Sequence, residues 1–99
     1  IREADIVKVH SLRRGAAEAI EAIAHGDLNS SDVVGKKIDE IKLPPGTAIG
    51  AIVRDSDVIM VHHDTVIKPE DHVILVVTNK RYVKQVEKLF QVNTKIFGI

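Results

Sequence analysis

Three histidines and three acidic residues lie within twelve positions of the sequence, in the segment HHDTVIKPEDHV that spans residues 62–73. Imidazole nitrogens and carboxylate oxygens are common protein ligands of zinc and related divalent ions. On a β-strand, however, the adjacent side chains of His62 and His63 point to opposite faces, so they cannot bind one ion together. The segment also lacks the HExxH spacing of helical zinc sites. We therefore predict no metal site, and a histidine-based metal-binding domain remains an alternative.

The same segment fits a polar connection between two strands. Residues 64–67 (DTVI) and 71–74 (DHVI) repeat a D-x-V-I pattern seven residues apart. Between them, Pro69 stands where proline favours the second position of a β-turn. Each repeat places an aspartate at a bend and apolar side chains after it, as expected where polar residues edge a turn. The pattern predicts a turn-rich join between strands rather than a chemical site.

Several segments around this join have clear secondary-structure patterns. Residues 72–77 (HVILVV) are apolar on both faces, which predicts a central strand covered on both sides. Residues 47–54 and 57–63 flank a short polar turn and predict an antiparallel hairpin. Residues 80–90 place their apolar side chains on one helical face, after Asn79 as a capping residue. These elements together predict an amphipathic helix lying on a sheet.

Two segments are harder to assign. The cap-forming residues Ser30, Ser31 and Asp32 predict a second helix, which would carry Val33, Val34, Ile38 and Ile41 inward. Residues 14–27 (RGAAEAIEAIAHGD) are rich in alanine and glutamate and taken alone look helical. Because tertiary context overrides propensity, a strand is also compatible with this segment, and both assignments stay open at this point.

The composition limits the classes of function. The chain has 99 residues, with 14 basic and 14 acidic side chains and no cysteine. A net charge of zero gives no electrostatic footprint for nucleic acid or an anionic membrane. The lack of cysteine excludes disulfides and thiolate sites. No apolar run approaches the roughly 20 residues of a membrane span. The absence of an initial methionine and of a signal pattern leads us to expect a soluble piece of a larger protein.

The sequence gives little support to catalysis. Acidic pairs occur at Asp39-Glu40, Asp55 with Asp57, and Glu70-Asp71, but each is predicted to lie in a turn or on a helix surface. A catalytic pair needs burial or a fixed partner that separates the two pKa values. No glycine-rich nucleotide-binding motif occurs among the six scattered glycines. We predict that this chain is not an enzyme, has no catalytic residue and binds no cofactor of its own.

Several motifs in order along the chain resemble a known family. Residues 35–41 (GKKIDEI), 49–54 (IGAIVR) and 64–77 (DTVIKPEDHVILVV), followed by a closing helix, are similar to the C-terminal domain of RCK (regulator of potassium conductance) proteins. More narrowly, the stretches SLRRGAAEAIEAIAHGD, VVGKKIDEIKLPPGT and VEKLFQV resemble the C-terminal (RCK-C or TrkA-C) domain of TrkA-type Trk potassium-uptake regulators. The resemblance covers about residues 4–92. One departure is Glu70-Asp71, where the family usually has Gly-Asp.

The resemblance implies a fold and a domain division. The implied fold is a small α+β domain, a three- to four-stranded antiparallel sheet with a β-hairpin, packed with two helices. It favours a strand for residues 18–27. It assigns residues 1–12 to a linker from a preceding nucleotide-binding domain, residues 13–92 to the regulatory domain, and residues 93–99 to a tail.

The resemblance also implies a function. It is that of a regulatory and assembly domain, a homodimer that helps couple nucleotide binding in the preceding domain to gating of a membrane potassium transporter. NAD(H) or ATP would bind only in that preceding domain. The whole regulator would be cytoplasmic and peripherally associated with the cytoplasmic face of the inner membrane. No nucleic acid and no direct membrane insertion are expected.

A ligand-sensing module is the main alternative. Some members of the family bind a small regulatory ligand, such as a cyclic dinucleotide or a cation, between paired domains. The resemblance would place Arg54, His62 and His63 near such a cleft, where arginine could bind phosphate oxygens and histidine could stack or donate. The simpler interpretation of Arg54 is a surface ion pair with Asp55, worth about 0–1 kcal/mol.

Overall fold

The computed structural model describes residues 2–3, 5–12 and 16–93. Its main element is a five-stranded antiparallel sheet, to which a short helix and a separate two-stranded ribbon are added. The elements are β1 (Arg2–Glu3), β2 (Asp5–Leu12), β3 (Ala17–Ala24), β4 (Thr47–Arg54), β5 (Asp57–Met60), β6 (Asp71–Val77), α1 (Val83–Leu89) and β7 (Val92–Asn93). The strand order of the main sheet is β2-β3-β6-β4-β5. This confirms the α+β class, the hairpin of β4 and β5, and the central position of β6.

The segment whose assignment was open is a strand. Ile20, Ala22 and Ala24 of β3 are buried in the core, and the residues between them lie on the other face. β3 pairs with β2 on one side and with β6 on the other. Hydrogen bonding on both sides therefore outweighs the helix propensity of alanine and glutamate, as tertiary context commonly does.

The central strand is packed on one face only. Val73, Leu75 and Val77 are fully buried, whereas Ile74 is half-buried and Val76 is exposed. The prediction of cover on both sides was therefore wrong within the part of the chain that the structure describes. The apolar residues of the second face line a surface of the domain.

Helix α1 packs against the covered face of the sheet. A short 3₁₀ turn at residues 80–82 precedes the helix. The Asn79 side chain caps this turn by accepting a hydrogen bond from the backbone N–H of Arg81. This confirms the predicted cap. Val86 and Phe90 are buried against the sheet, and Val83 and Leu89 are packed against the same core.

The predicted second helix is not formed. Ser31 does cap a turn, since its hydroxyl accepts hydrogen bonds from the backbone N–H groups of Val33 and Val34. Gly35 then adopts a positive φ of 84°, which ends any helical turn. Its N–H donates to the carbonyl of Ile67, so the chain pairs with a neighbouring extended segment instead. Only a 3₁₀ turn at Ile38–Glu40 follows.

The inward residues of that segment were nevertheless predicted correctly. Val33, Val34 and Ile41 are buried, and Ile38 packs partly against the same core. The segment therefore covers one side of the core without helical geometry. Within the described residues, the observed fold differs from the predicted one in three ways. This segment is not helical, there is one α-helix instead of two, and the main sheet has five strands instead of three or four.

A β-bulge in β4 sets the position of the strand end. The β4–β6 pairing steps from Ile49 opposite Leu75 to Ala51 opposite Ile74, so that Gly50 is the extra residue. Because of this extra residue, Ile49 and Ile52 both face the core although they are three positions apart. The bulge thereby also determines where Arg54, the last residue of β4, meets β6.

The segments at either end of the described chain are also paired. β1 and β7 form an antiparallel ribbon, with Arg2 opposite Asn93 and Glu3 opposite Val92. Residues 5–12, predicted to be linker, form β2 at one edge of the main sheet. The functional division into linker, regulatory domain and tail stays a prediction, and residues 94–99 of the predicted tail lie outside the described residues.

Candidate functional site

Arg54 and Asp71 form a charged, partly buried contact between β4 and β6. Arg54 Nε donates to Asp71 Oδ1 at 2.9 Å and Nη2 donates to Oδ2 at 2.8 Å, which makes a bidentate pair. The Asp71 side chain is only 1% exposed. Oδ2 also accepts from the backbone N–H of Lys68 at 2.8 Å, and Nη2 donates to the Val66 carbonyl at 3.1 Å. The buried carboxylate is thus held by three hydrogen bonds.

This arrangement corrects the expected partner of Arg54. The hydrogen bonds with Asp71 raise the pKa of Arg54, because they favour the charged guanidinium, and the charge of Asp55 adds a smaller contribution. The ion pair is therefore formed with Asp71 rather than with Asp55. Two of the three guanidinium nitrogens are engaged by the chain itself, so a phosphate ligand would compete with Asp71 for the arginine fork.

His62 and His63 lie elsewhere on the hairpin. Arg54 is paired with Asp57 beside the turn, whereas the two histidines follow the opposite end of β5. Both are exposed; His63 Nδ1 is 3.6 Å from Asp39 Oδ2, and the backbone N–H of His62 donates to Thr65 Oγ1 at 2.9 Å. Among the described residues, the three ligand-binding candidates share no partner, and their role stays a prediction.

The histidine-rich segment is a pair of turns, as predicted. The N–H of Thr65 donates to the His62 carbonyl, and the N–H of Asp71 donates to the Lys68 carbonyl. Among residues 2–3, 5–12 and 16–93, no group of three or more histidine, cysteine or acidic side chains is placed to hold a metal ion. The absence of a metal from the whole chain remains a prediction.

Glu70 explains the one departure from the family pattern. Its φ is +69°, a left-handed conformation that glycine adopts without strain. Its backbone N–H donates to the Ala24 carbonyl at 2.7 Å, and its carboxylate bonds with His25 Nδ1 at 2.8 Å. The turn therefore keeps a glycine-like geometry while it carries a charged side chain.

One side of the main sheet is not covered by any other part of the described chain, and we call this apolar side the open face. One row of side chains crosses four strands of this face. His72 of β6 lies between Ile23 of β3 and Val53 of β4, and Val58 of β5 lies on the other side of Val53. Val58 and Met60 are 66% and 68% exposed, and Val76 is 39% exposed. Its described apolar members are Ala17, Ala19, Ile23, Ala48, Ala51, Val53, Val58, Met60, Ile74 and Val76.

Two of the described side chains on the open face, His72 and Glu21, are hydrogen-bonded to each other. His72 Nδ1 is 2.7 Å from Glu21 Oε2, across the β3–β6 pairing, and both side chains are about one-third exposed. His10 lies at the β2 edge of the same face, opposite Ala19. Sequence reasoning missed this pair and the open face, although the alternation of residues 17–24 and 72–77 would have placed their outward side chains together once both were strands.

A second, smaller apolar surface lies beside the turns. Residues 27–29, 34–35 and 66–69 line an open recess of about 370 Å³. Leu28, 70% exposed, and Val66, 39% exposed, stand at this recess rather than on the open face. The recess is near the Arg54–Asp71 pair, because Arg54 bonds with the Val66 carbonyl.

The fold and these surfaces define a small α+β domain whose prominent feature is a sheet with one uncovered apolar face. The chain belongs to the TrkA-C domain family, whose model matches residues 28–91. It is 63% identical over 91 residues to the Trk system potassium uptake protein TrkA of Vibrio alginolyticus, a match that covers 92% of this chain. It is 60% identical over 97 residues to the protein of the same name from Halomonas elongata, covering 98% of this chain.

A third relative, the Trk system potassium uptake protein TrkA of Haemophilus influenzae, is 45% identical over 91 residues. The chain spans about a fifth of the length of these curated relatives, 20% or 21% in each case. No helix within the described part of the chain is long and apolar enough to span a membrane.

Proposed function

We propose that this chain is a regulatory and assembly domain of a TrkA-type potassium-uptake regulator. The observation that carries the proposal is the TrkA-C match over residues 28–91, with relatives named as Trk system potassium uptake proteins at 63% and 60% identity. The domain acts by binding partners rather than by catalysis. It pairs with a second copy of itself and contacts a nucleotide-binding domain of the same regulator.

The mechanism that we propose is a bias on a two-state assembly. Binding of NAD(H) or ATP in the nucleotide-binding domain changes how the paired domains sit relative to one another. That change acts on the membrane potassium-transporter subunit at the cytoplasmic face of the inner membrane. Such coupling requires contacts that differ between the two states. The five-stranded sheet, with its central strand fully buried on one face, supplies a stiff body that can transmit such a change.

Two measurements test this function. Sedimentation of the domain over a range of concentrations should reveal a reversible dimer. Potassium uptake by cells that express the full-length regulator should depend on this domain, so that its removal abolishes the response of uptake to nucleotide while expression is retained. Unchanged, nucleotide-responsive uptake without the domain would contradict the proposal.

A further inference from the structure

We propose that the outward side of helix α1 and of the turn before it binds an acidic segment of a protein partner. The surface carries four exposed cations, which we call the basic stripe: Lys80, Arg81, Lys84 and Lys88. The inference goes beyond the assembly role proposed above, because the basic stripe binds an acidic partner whether or not two copies of the domain pair.

Charge is unevenly distributed along the chain although its total is zero. Residues 80–91 carry four basic side chains and one acidic side chain, Glu87. Because the whole chain has 14 of each, the remaining residues carry 10 basic and 13 acidic side chains. The basic stripe is therefore a local excess of positive charge on a chain that is acidic elsewhere. Such an excess attracts partners of the opposite charge and speeds their encounter.

The helix holds these cations on one side. Lys80, Lys84 and Lys88 are spaced four residues apart, and the 3₁₀ turn leads directly into α1, so their side chains lie on successive turns of one face. The opposite face, with Val86 and Phe90, is buried against the sheet. The charges are thus presented by an element that the core supports, which lowers the entropy that binding costs.

The cations of the basic stripe are available to a partner. Among the described residues, none of the four forms an ion pair with an acidic side chain. The guanidinium of Arg81 lies 5.3 Å from the centroid of the Tyr82 ring, a cation–π contact that does not use its N–H donors. By contrast, Asp71 occupies the guanidinium of Arg54. The basic stripe therefore keeps its donors for the carboxylates of a partner.

A groove beside the basic stripe adds a further cation. It is an open groove of about 340 Å³ between α1 and the loop before β4. Its polar lining consists of Lys42, Lys88, Gln85, Gln91 and Asp32. Two lysines and one aspartate leave the groove with a net positive charge. The glutamine amides donate and accept hydrogen bonds, which suits the mixed polar groups of a protein segment.

The surroundings of the basic stripe favour a protein over a bilayer or a nucleic acid. Helices that lie on a bilayer insert apolar side chains between the lipids. Within residues 80–91, however, every large apolar side chain is at least partly buried, and Val86 and Phe90 are fully so. Nucleic-acid surfaces commonly offer aromatic rings on which bases stack. The ring of Tyr82 is instead in contact with Arg81. Carboxylates need only the cations and amides that are present.

The test uses two pairs of substitutions that remove the same charge. Lys84→Gln with Lys88→Gln removes two cations of the basic stripe. Lys37→Gln with Lys68→Gln removes two exposed lysines elsewhere. Poly-L-glutamate is the probe, titrated into each protein at about 0.1 M salt, where the Debye length is about 10 Å. The dissociation constant should rise at least about fivefold for the stripe pair and less than about twofold for the control pair.

NMR spectra recorded during the same titration locate the contact. Backbone amide resonances of residues 80–91 should shift, whereas those of residues 36–40 should not. All four substituted lysines are exposed, so the spectra of the free variants should show an intact fold. Phosphatidylglycerol vesicles and a DNA duplex, titrated at the same concentration of anionic groups, should bind more weakly than poly-L-glutamate.

Each of the other outcomes overturns the inference. Equal weakening by the two pairs would mean that total charge, rather than the basic stripe, governs binding. Shifts confined to other residues would place the contact elsewhere. Tighter binding of the vesicles or the duplex through the basic stripe would assign it to a membrane or a nucleic acid. No binding of poly-L-glutamate at up to about 1 mM would mean that the basic stripe is only a solvated surface.

Discussion

Arg54, the last residue of β4, is joined to Asp71, the first residue of the central strand β6, by two parallel hydrogen bonds of 2.9 and 2.8 Å. The pair lies next to the turn of residues 68–71 and depends on the bulge at Gly50, which sets the length of β4 against β6. The two hydrogen bonds therefore tie the end of β4 to the start of β6.

Removal of this arginine should destabilise the domain strongly. Arg54→Ala leaves the carboxylate of Asp71 buried without its charged partner, and breaking a buried pair costs about 3–5 kcal/mol. Because the Arg54 side chain is about one-quarter exposed, we expect a loss nearer 2–3 kcal/mol. Urea unfolding at neutral pH measures it. Arg81→Ala is the control: this arginine is exposed, its guanidinium lies 5.3 Å from the centroid of the Tyr82 ring, and its removal should cost no more than about 1 kcal/mol. A loss below 1 kcal/mol for Arg54→Ala would contradict the structural role.

Because Asp71 is bound to Arg54, we expect that no ligand changes the unfolding temperature of the domain by binding at Arg54, His62 and His63. Thermal unfolding in the presence of cyclic dinucleotides should show no shift, because Asp71 already occupies the arginine fork. Addition of EDTA should likewise leave the unfolding temperature unchanged. A ligand-specific shift that His62→Ala or His63→Ala removes, with the fold intact, would instead support the ligand-sensing alternative. A loss of stability with EDTA would support the metal-binding alternative.

Glycine at position 70 should stabilise the domain relative to alanine. Both substitutions remove the Glu70–His25 contact, which lies at the surface and contributes about 0–1 kcal/mol. Only Glu70→Gly relieves the strain of a φ of +69°, a conformation that costs an L-residue about 1–2 kcal/mol. We expect the Glu70→Gly variant to be more stable than the Glu70→Ala variant by about 1 kcal/mol in urea unfolding. Equal stabilities would mean that the turn relaxes without cost.

The turn at Asp27 should lose stability in acid. Backbone N–H groups of Asn29 and Ser30 donate to its Oδ1 and lower the pKa of Asp27, with the Ser30 hydroxyl adding a smaller effect. A lowered folded-state pKa means that the contribution is complete above the unfolded value of 3.8 and is lost as pH falls through the folded-state value. An NMR titration of the carboxylate carbon should give a midpoint below 3.8.

A variant separates this effect from general acid sensitivity. Asp27→Asn should weaken the acid dependence of stability, because the amide oxygen still accepts hydrogen bonds but does not titrate. Glu87→Gln, on the exposed surface of α1, removes one negative charge without touching the turn and serves as the control. If both variants flatten the acid limb equally, the turn at Asp27 is not its source.

The parts of the fold that sequence predicted well are those with local signals. The hairpin of β4 and β5 has a polar turn, β6 is a run of apolar β-branched residues, and Asn79 stands at the start of the helical segment. Local signals were not enough for β3, because its alanines and glutamates favour a helix until strands pair on both sides. They misled at residues 33–41, where Gly35 and pairing with residues 65–67 replace the helix.

The candidate site was harder to predict than the fold. Asp71 is seventeen positions from Arg54, and their meeting depends on a bulge that the sequence marks only by Gly50. Prediction of the open face would have required knowing that one side of β6 is not covered by the rest of the described chain. The apolar residues on both faces of that strand did not indicate this. Contacts distant along the chain are thus decided by register, which local patterns specify weakly.

The ribbon of β1 and β7 has a mechanical consequence. Its two strands run antiparallel with only two residue pairs, Arg2 with Asn93 and Glu3 with Val92. A pulling force applied through Arg2 and Asn93 would open these pairs one after the other, as in unzipping, before it reached the five-stranded sheet. Isolated two-stranded ribbons are marginally stable, so little work is needed for this step. The domain would then extend under load by releasing its ribbon while its core, and any surface used for pairing, stayed folded.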